Sequence, residues 1–555
     1  MAGNKKQKDK SFLVQGSILA VAGVITKLIG AAYRVPLVNI LGDKGMGYYG
    51  VAFQIYSIAL TLTSYSLPLA VSKLVSARVA KGEYKNSYKV FRGAMTFAVL
   101  VSGIVGAVIF LGADFIADNI MAMKFSSYAL RVLAPCILIV AVLGVLRGFF
   151  QGNGSMIPTA ISQVLEQIVN AGVSIAGAYM LFKVGSDVAK TRGNESYGSA
   201  YAAAGGTLGT VIGALSALLF LFAVFAAFKR VLRRKMRRDR GHRREKYKRI
   251  FKILMITIAP VILSSTVYNL CGIIDNAMFA KIMSVQGVKE SEYAALLGIL
   301  NGKYDTLVNV PISIAYSLGA SLIPAIVTAA QTGSRKQVHS KIQLVTRFNM
   351  MIAIPCAAGF IVLAEPILDL LFFTQDNAVG GLMLQLGALS VVFYCLSTVT
   401  NAVLQGLDNM MAPVKNAAIS VVLYTVSLFI MLVVFRWGIY AVVLSRIVFS
   451  GSTSMLNAHS LRMQTGYVQE QRKTFIIPCL ASVIMGIAAL MVHLFFELFA
   501  GTQIATLIAL PAAVIVYAVA LVLLGGINES EMYEMPKGAL LVRICRKAGL
   551  FRQER

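Results

Sequence analysis

The first apolar segment of the chain contains a lysine, Lys27, among small residues. Alternating spacings of four and three place five further residues on its helix face: Gly16, Ala20, Gly23, Gly30 and Arg34. A lysine at that depth costs about 2.5 kcal/mol or more against lipid. We therefore expect Lys27 to face a water-filled or protein-lined interior and to hold an anionic group there. Arg34 either joins it or extends to the outer interface.

Polar side chains also interrupt the seventh and eighth apolar segments. The seventh has a helical stripe of Ser265, Tyr268, Asn269, Gly272, Asp275 and Asn276. Asp275 could pair with Lys27, gate the interior or bind a coupling cation, or it could be a solvated helix end. In the eighth, Asn301, Lys303, Asp305 and Asn309 precede Pro311. Because proline lacks an N–H, we expect a kinked, charged helix that lines the site.

A third group of candidates follows the fourth apolar segment. Arg147 and Gln151 precede a glycine-rich turn, and Pro158 is expected in the first turn of the next helix. Gln163 and Glu166 then share one helix face. We expect these four side chains to position the helix bundle through hydrogen bonds between helices, with contact to a substrate as the alternative for Gln163 and Glu166.

Long apolar segments position all of these residues. The chain has 555 residues, of which 57% are hydrophobic and 14% charged, and a mean hydropathy of +0.73. These values exclude a water-soluble globule. Apolar runs of helical length predict an all-α polytopic membrane protein with about fourteen spans. Their centres are Val21, Ile58, Val101, Leu138, Ala171, Leu215, Val261, Ile314, Val362, Val391, Leu423, Val443, Ile487 and Val514.

The net charge of +28 is concentrated on alternate loops, among them residues 229–252. The intervening loops are acidic or nearly neutral. The positive-inside rule therefore predicts that both termini and segment 229–252 are cytoplasmic. The same rule explains this basic segment better than nucleic-acid binding does, and it also predicts contact with anionic membrane lipids.

An internal repeat relates the two halves of the chain. Residues 47–85 align without gaps on residues 298–336, so that Gly47 matches Gly298 and Gln54 matches Asp305. The repeat predicts two six-helix bundles related by a pseudo-twofold axis along the membrane normal, with two additional C-terminal helices. The predicted boundaries are 1–228, a basic linker at 229–252, 253–460 and 461–555.

The sequence contains no nucleotide-binding loop, no metal-ligand cluster and no nucleophile–base set. We therefore expect a secondary transporter rather than an enzyme, without a cofactor or a metal. Transport would be driven by the membrane potential or by a monovalent cation, for which Asp275, Asp305, Gln54 and Asn309 are candidate gating or coupling residues.

Several motifs resemble a known family. They are LPLAVSKLVS with KGEY at 67–84, RGFFQG at 147–152, PTAISQVLEQ at 158–167 and the Tyr304-Asp305 pair. Together they are similar to the SpoVB/YtgP branch of the MurJ-like flippases, in the polysaccharide-exporter and MATE superfamily. Lys27 matches an arginine of that family's first-helix pattern, and Asp305 matches in the eighth helix. Tyr33 and Thr306 stand where the family usually has arginine.

The resemblance implies a flippase in the bacterial plasma membrane. Its substrate would be an undecaprenyl-pyrophosphate cell-wall precursor, lipid II, with Lys27, Arg34 and Lys303 as pyrophosphate candidates. It would act with cell-wall synthesis proteins, in cell shape or in sporulation. Three alternatives remain: export of another undecaprenyl-linked oligosaccharide, a MATE-type drug antiporter and a membrane scaffold. Buried cations disfavour the antiporter, and a scaffold gives no reason to bury Lys27, Asp275 and Asp305.

Overall fold

The computed structural model describes residues 2–237, 239, 245–331, 335–529, 532, 539, 542, 543 and 546. In this part of the chain the regular structure is helical throughout, as the sequence predicts. The helices α1 to α16 are, in order, Ala2–Thr63, Leu67–Ala80, Tyr84–Leu111, Ala113–Phe115, Ser127–Gly152, Ile157–Arg192, Ser196–Arg237, Tyr247–Val285, Glu290–Gly298, Asp305–Gln331, Arg335–Val362, Ala364–Leu371, Ala378–Gly406, Met411–Val433, Ile439–Thr465 and Ile477–Leu523. Turns of π-helix occur at Ile116–Ile120, Ile299–Tyr304 and Arg472–Ile476.

Two of the helices are each divided by a glycine. Gly42 interrupts α1 with φ 67° and ψ 172°, and Gly501 interrupts α16 with φ 79° and ψ 163°. Glycine adopts such angles without a side-chain clash, so each helix can reverse direction there. Ten segments of the described chain are long and apolar enough to cross a membrane, and two of them contain these breaks. The protein is therefore a multi-pass membrane protein.

Each predicted span centre lies in a helix, although two lie near helix ends. Val362 is the last residue of α11, and Val443 lies in the first two turns of α15. The apolar run continues from α11 into the short helix α12, so the centre of the run lies at the end of α11. The total number of spans and the pseudo-twofold arrangement stay predictions.

The chain forms two compact units, which we call unit 1 (Met1–Gly302) and unit 2 (residues 303–555). In unit 1, α6 and α7 approach closely at glycines. A Cβ at Gly205 would overlap with the carbonyl of Gly177, and one at Gly213 would lie 2.7 Å from the carbonyl oxygen of Glu166. The domain boundaries inferred from the repeat stay predictions.

Unit 1 contains a reciprocal glycine contact between α1 and α9. A Cβ at Gly47 would overlap with the carbonyl of Ala294, and a Cβ at Gly298 would overlap with the carbonyl of Asp43. The repeat aligns Gly47 with Gly298, and the same offset, continued four residues towards the N-terminus, places Asp43 opposite Ala294. The contact therefore maps onto itself when the two repeats are exchanged, as at an isologous interface.

The start of α9 is fastened to the segment before α5. The carboxyl group of Glu290 accepts a hydrogen bond from the backbone N–H of Phe125 at 3.2 Å. Burial raises the pKa of this carboxyl group, and the hydrogen bond opposes that change. The hydroxyl of Tyr293 donates to the carbonyl of Ala122 at 2.5 Å.

The basic segment 229–252 contacts α2 and α3 through its two acidic residues, Asp239 and Glu245. Glu245 pairs with Arg78 at 2.6 Å, and the Asp239 carboxylate accepts from the backbone N–H of Lys85 at 2.5 Å. The Lys89 ammonium lies 4.6 Å from the ring centroid of Tyr247, at the start of α8. Residues 238 and 240–244 of this segment lie outside the described residues.

In unit 2, α13 packs against α10, α11 and α15. A buried amide network joins α13, α14 and α15 at the end of α13. The Asn416 side chain donates to that of Asn457 at 2.9 Å, and Asn457 donates to the Asn401 side chain at 2.8 Å. Such fully paired amides hold apolar helices in register.

Candidate functional site

The helix face around Lys27 is open. Its side chain is exposed, and a Cβ added at Gly23 would meet nothing within 4 Å. One turn further along, a Cβ at Gly30 would have its nearest neighbour, the Gln167 side-chain oxygen, at 3.8 Å. Gly23 therefore faces open space, whereas Gly30 faces α6 with room for a small side chain. The side chains at positions 16 and 20 lie outside the described ones.

Arg34 lies two turns beyond Lys27 and contacts the end of unit 1. Its Nη2 atom donates to the backbone carbonyl of Asn301 at 2.9 Å. The Nε atom is buried and has no hydrogen-bond partner among the described residues. Because a buried donor without a partner costs about 1–3 kcal/mol, this guanidinium has hydrogen-bonding capacity that a ligand could use.

A chain of amide groups continues from Asn301 into α8. The Asn301 side chain donates to the side-chain oxygen of Asn276 at 3.0 Å, and Asn276 donates to the carbonyl of Gly272 at 2.8 Å. The neighbouring Asp275 is only 1% exposed. That burial disfavours a solvated helix end and agrees with a gating or ion-binding role, which stays a prediction.

Gln54, the repeat counterpart of Asp305, lies against the same helix. Its side-chain nitrogen donates to the carbonyl of Asn269 at 3.4 Å, and the Asn269 amide donates to Thr61 at 3.2 Å. A Cβ at Gly272 would overlap with the Gln54 amide. The side chains of Ser265 and Tyr268, which belong to the predicted polar stripe, lie outside the described ones.

The charged group at the start of α10 lies in unit 2. Lys303 is 0% exposed, and its ammonium donates to the backbone carbonyl of Asp376 at 3.3 Å. Asp305 pairs instead with Arg446 of α15. Asn309 is exposed one turn beyond Asp305. A π-helical turn, Ile299–Tyr304, directly precedes Asp305. This turn lies before Pro311, the proline at which the sequence predicts a kink.

Arg147 connects α5 and α6. Its Nη2 atom lies 2.7 Å from a carboxylate oxygen of Glu166, and its Nε atom donates to the Ser162 hydroxyl at 3.0 Å. Gln151 and Gln163 are half-buried nearby in sequence. Pro158 lies in the first turn of α6, as predicted. These contacts favour the interpretation that Arg147 and Glu166 hold two helices together.

Sequence reasoning missed Arg446. It is an arginine within the apolar helix α15, and the rule that singled out Lys27 applies to it equally. Its partner could not be found by spacing, because Asp305 is 141 residues away in the chain.

The fold and the candidate residues define a polytopic helical membrane protein with cations on an open helix face. A family model for polysaccharide biosynthesis proteins matches residues 13–330, and the chain belongs to that family.

Two relatives from Bacillus subtilis (strain 168) extend this assignment. The chain is 27% identical to stage V sporulation protein B over 537 residues, covering 96% of this chain and 99% of that protein. It is 25% identical to lipid II flippase MurJ over 424 residues, covering 74% and 76% of the two chains.

Solved structures with the same fold include lipid II flippase MurJ in an inward closed conformation. The TM-score is 0.59 at 15% identity, with 90% of this chain and 97% of that chain covered. An inward-facing MATE family multidrug resistance transporter gives a TM-score of 0.60 at 15% identity, covering 80% and 94%. These similar proteins are transporters and flippases rather than enzymes, as the sequence predicts for this chain.

Proposed function

We propose that the protein is a flippase that moves an undecaprenyl-pyrophosphate-linked cell-wall precursor, lipid II, from the inner to the outer leaflet of a bacterial plasma membrane. The observation that carries this proposal is the exposed Lys27 on an open, glycine-lined face of the first apolar helix. An exposed cation in that position can donate hydrogen bonds to the phosphate oxygens of a lipid diphosphate that passes through the protein.

The chemistry of the substrate explains the type of residue. A diphosphate is costly to bring into hydrocarbon unless fixed cations meet it. Arg34, with one donor used by Asn301 and a buried Nε without a partner among the described residues, offers a second cation beyond Lys27. The polyprenyl tail would remain in the bilayer while the diphosphate and its glycan cross by alternating access.

The membrane potential would contribute to the direction of transport. An inside-negative potential favours outward movement of an anion by about 2.3 kcal/mol per charge per 100 mV. A monovalent cation bound at the buried Asp275 is the alternative source of coupling. Cell-wall synthesis proteins that make and use the precursor would be the partners.

A second candidate substrate is another undecaprenyl-linked oligosaccharide. The family match supports keeping this candidate, since the model that matches residues 13–330 describes polysaccharide biosynthesis proteins. A drug antiporter for cationic compounds is disfavoured, because Lys27 and Arg34 would repel its substrates.

Complementation tests the proposal in cells. Bacteria depleted of every related flippase should accumulate lipid II in the inner leaflet, and this protein should restore both externalisation and growth. Rescue of growth without restored externalisation, or no rescue by a protein that is inserted normally, would count against a lipid II flippase. Restored export of a different undecaprenyl-linked glycan would select the second candidate.

A further inference from the structure

A partly exposed ion pair in unit 2 joins α10 to α15. The guanidinium of Arg446 donates to both carboxylate oxygens of Asp305: Nη1 to Oδ1, and Nη2 to Oδ2 at 3.5 Å. The side chain of Arg446 is 12% exposed and that of Asp305 is 24% exposed. The Arg446 guanidinium carbon also lies 5.7 Å from the ring centroid of Tyr304.

Tyr304 holds this arrangement in place. Its hydroxyl forms a 3.1 Å hydrogen bond with that of Ser390, and its ring occupies the space that a side chain at Gly387 would need. The adjacent Lys303 is fully buried and donates to a backbone carbonyl. Of the cations in this cluster, Arg446 is therefore the one that a ligand can reach.

We propose that Arg446 binds the diphosphate of the substrate, and that Asp305 is an internal carboxylate that competes with the diphosphate for the same guanidinium. The inference rests on the proposed function, since it names a ligand-binding residue for that substrate. Planar arginine donors fit carboxylate and phosphate oxygens in the same two-pronged geometry, so one anion can replace the other.

Stability alone gives a weak reason for this pair. Burying an arginine–carboxylate pair in an apolar helix bundle is often no better than apolar packing of the same volume. The pair also directly follows the π-helical turn Ile299–Tyr304, and such turns are frequent at functional sites. The exposed Asn309, one turn further along α10, offers uncharged hydrogen-bonding groups beside the pair.

Competition by Asp305 gives the site a means of release. While diphosphate occupies Arg446, the carboxylate loses its partner. Return of the carboxylate displaces the diphosphate and restores the pair seen in the structure. Removing the carboxylate charge should therefore tighten binding and slow release, whereas removing the guanidinium should weaken binding.

Equilibrium binding of radiolabelled inorganic pyrophosphate to the purified full-length protein tests this. Asp305→Asn should bind at least tenfold more tightly than wild type, Arg446→Gln at least tenfold more weakly, and Arg446→Lys should lie between wild type and Arg446→Gln. The matched control is Arg78→Gln, which removes the arginine of another partly buried pair, Arg78–Glu245, and should leave the affinity unchanged.

Two competition measurements identify the anion. Competition by undecaprenyl pyrophosphate but not by phosphatidylglycerol vesicles assigns the site to the lipid diphosphate, and competition by phosphatidylglycerol alone contradicts that assignment.

If Arg446→Gln does not fold, Asp305→Asn keeps the arginine and decides the question, because an unchanged affinity overturns the inference. A wild-type protein that binds no diphosphate refutes the proposed function as well. Wild-type binding that Arg446→Gln leaves intact refutes only the role of Arg446.

Discussion

Ionised side chains inside apolar helices differ greatly in their surroundings in this protein. Lys27 is exposed on an open face, whereas Lys303 is 0% exposed and bonds to a carbonyl. Residue type and position within an apolar run were enough to single out Lys27 and Asp305. They could not reveal the carbonyl partner of Lys303, because backbone carbonyls occur at every position and carry no sequence information.

Replacing Lys27 tests the residue-scale part of the mechanism. Lys27→Ala should abolish transport without changing expression or thermal stability, because the side chain is exposed and not part of the packed core. Lys27→Arg should retain part of the activity, since the charge remains while the geometry changes. Precursor externalisation in complemented cells is the measurement.

The control for this experiment is Gly23→Ala, on the same helix face. Its added methyl group would meet nothing within 4 Å, so transport and stability should stay close to wild type. Full activity of Lys27→Ala would remove the residue from the substrate path.

At the scale of elements, the central feature is the reciprocal contact of α1 and α9. The repeat alignment showed that Gly47 and Gly298 are equivalent, but equivalence in a repeat does not imply contact. Helices α6 and α7 also approach closely at glycines, among them Gly177 and Gly205. In both cases a missing side chain lets two backbones meet.

Adding a methyl group at Gly47 or Gly298 should destabilise the protein. Each added Cβ overlaps with a carbonyl of the facing helix, which is backbone and cannot rotate away. We expect Gly47→Ala and Gly298→Ala each to cost about 1–3 kcal/mol, measured by thermal unfolding in detergent.

A glycine in open space provides the comparison. Gly103, inside α3, has nothing within 4 Å of its added Cβ. Gly103→Ala should be neutral or should stabilise by up to about 1 kcal/mol through helix propensity. Equal effects at positions 47, 298 and 103 would show that the α1–α9 contact does not restrict side-chain size.

Proteolysis can test the contacts that segment 229–252 makes with α2 and α3. Its fourteen lysines and arginines are potential trypsin sites, while its two acidic residues hold it to the α2–α3 turn. Glu245→Gln removes the partner of Arg78, so tryptic cleavage in inside-out vesicles should become several-fold faster. Asp187→Asn, in an exposed pair with Lys190, should leave the rate unchanged. An unchanged rate in Glu245→Gln would mean that the ion pair does not hold the segment.

For the whole molecule, composition and apolar periodicity were sufficient to predict an all-helical polytopic fold, because the bilayer permits few alternatives. The number of spans was harder to infer. The two longest helices are each interrupted by a single glycine, Gly42 or Gly501, and a glycine within an apolar run does not by itself indicate a reversal. Pairings between distant helices, such as Asp305 with Arg446, require the tertiary structure.

The orientation of the protein in the membrane is a prediction about the whole molecule. With cytoplasmic termini, a cysteine at Arg238 should react with an impermeant maleimide only in inside-out vesicles. A cysteine at Glu195 should react in intact cells. Both variants are made in a protein without its native cysteines. Labelling of position 238 from outside intact cells would reverse the topology.

Reconstituted transport tests the central claim most directly. Purified protein is placed in liposomes with fluorescent lipid II, and movement between leaflets is followed with an impermeant quencher. We predict protein-dependent movement that is faster under a potential favouring movement of the anion and is lost in Lys27→Ala. Movement no faster than in empty liposomes, or equal rates for wild type and Lys27→Ala, would contradict a flippase that carries a lipid diphosphate past Lys27.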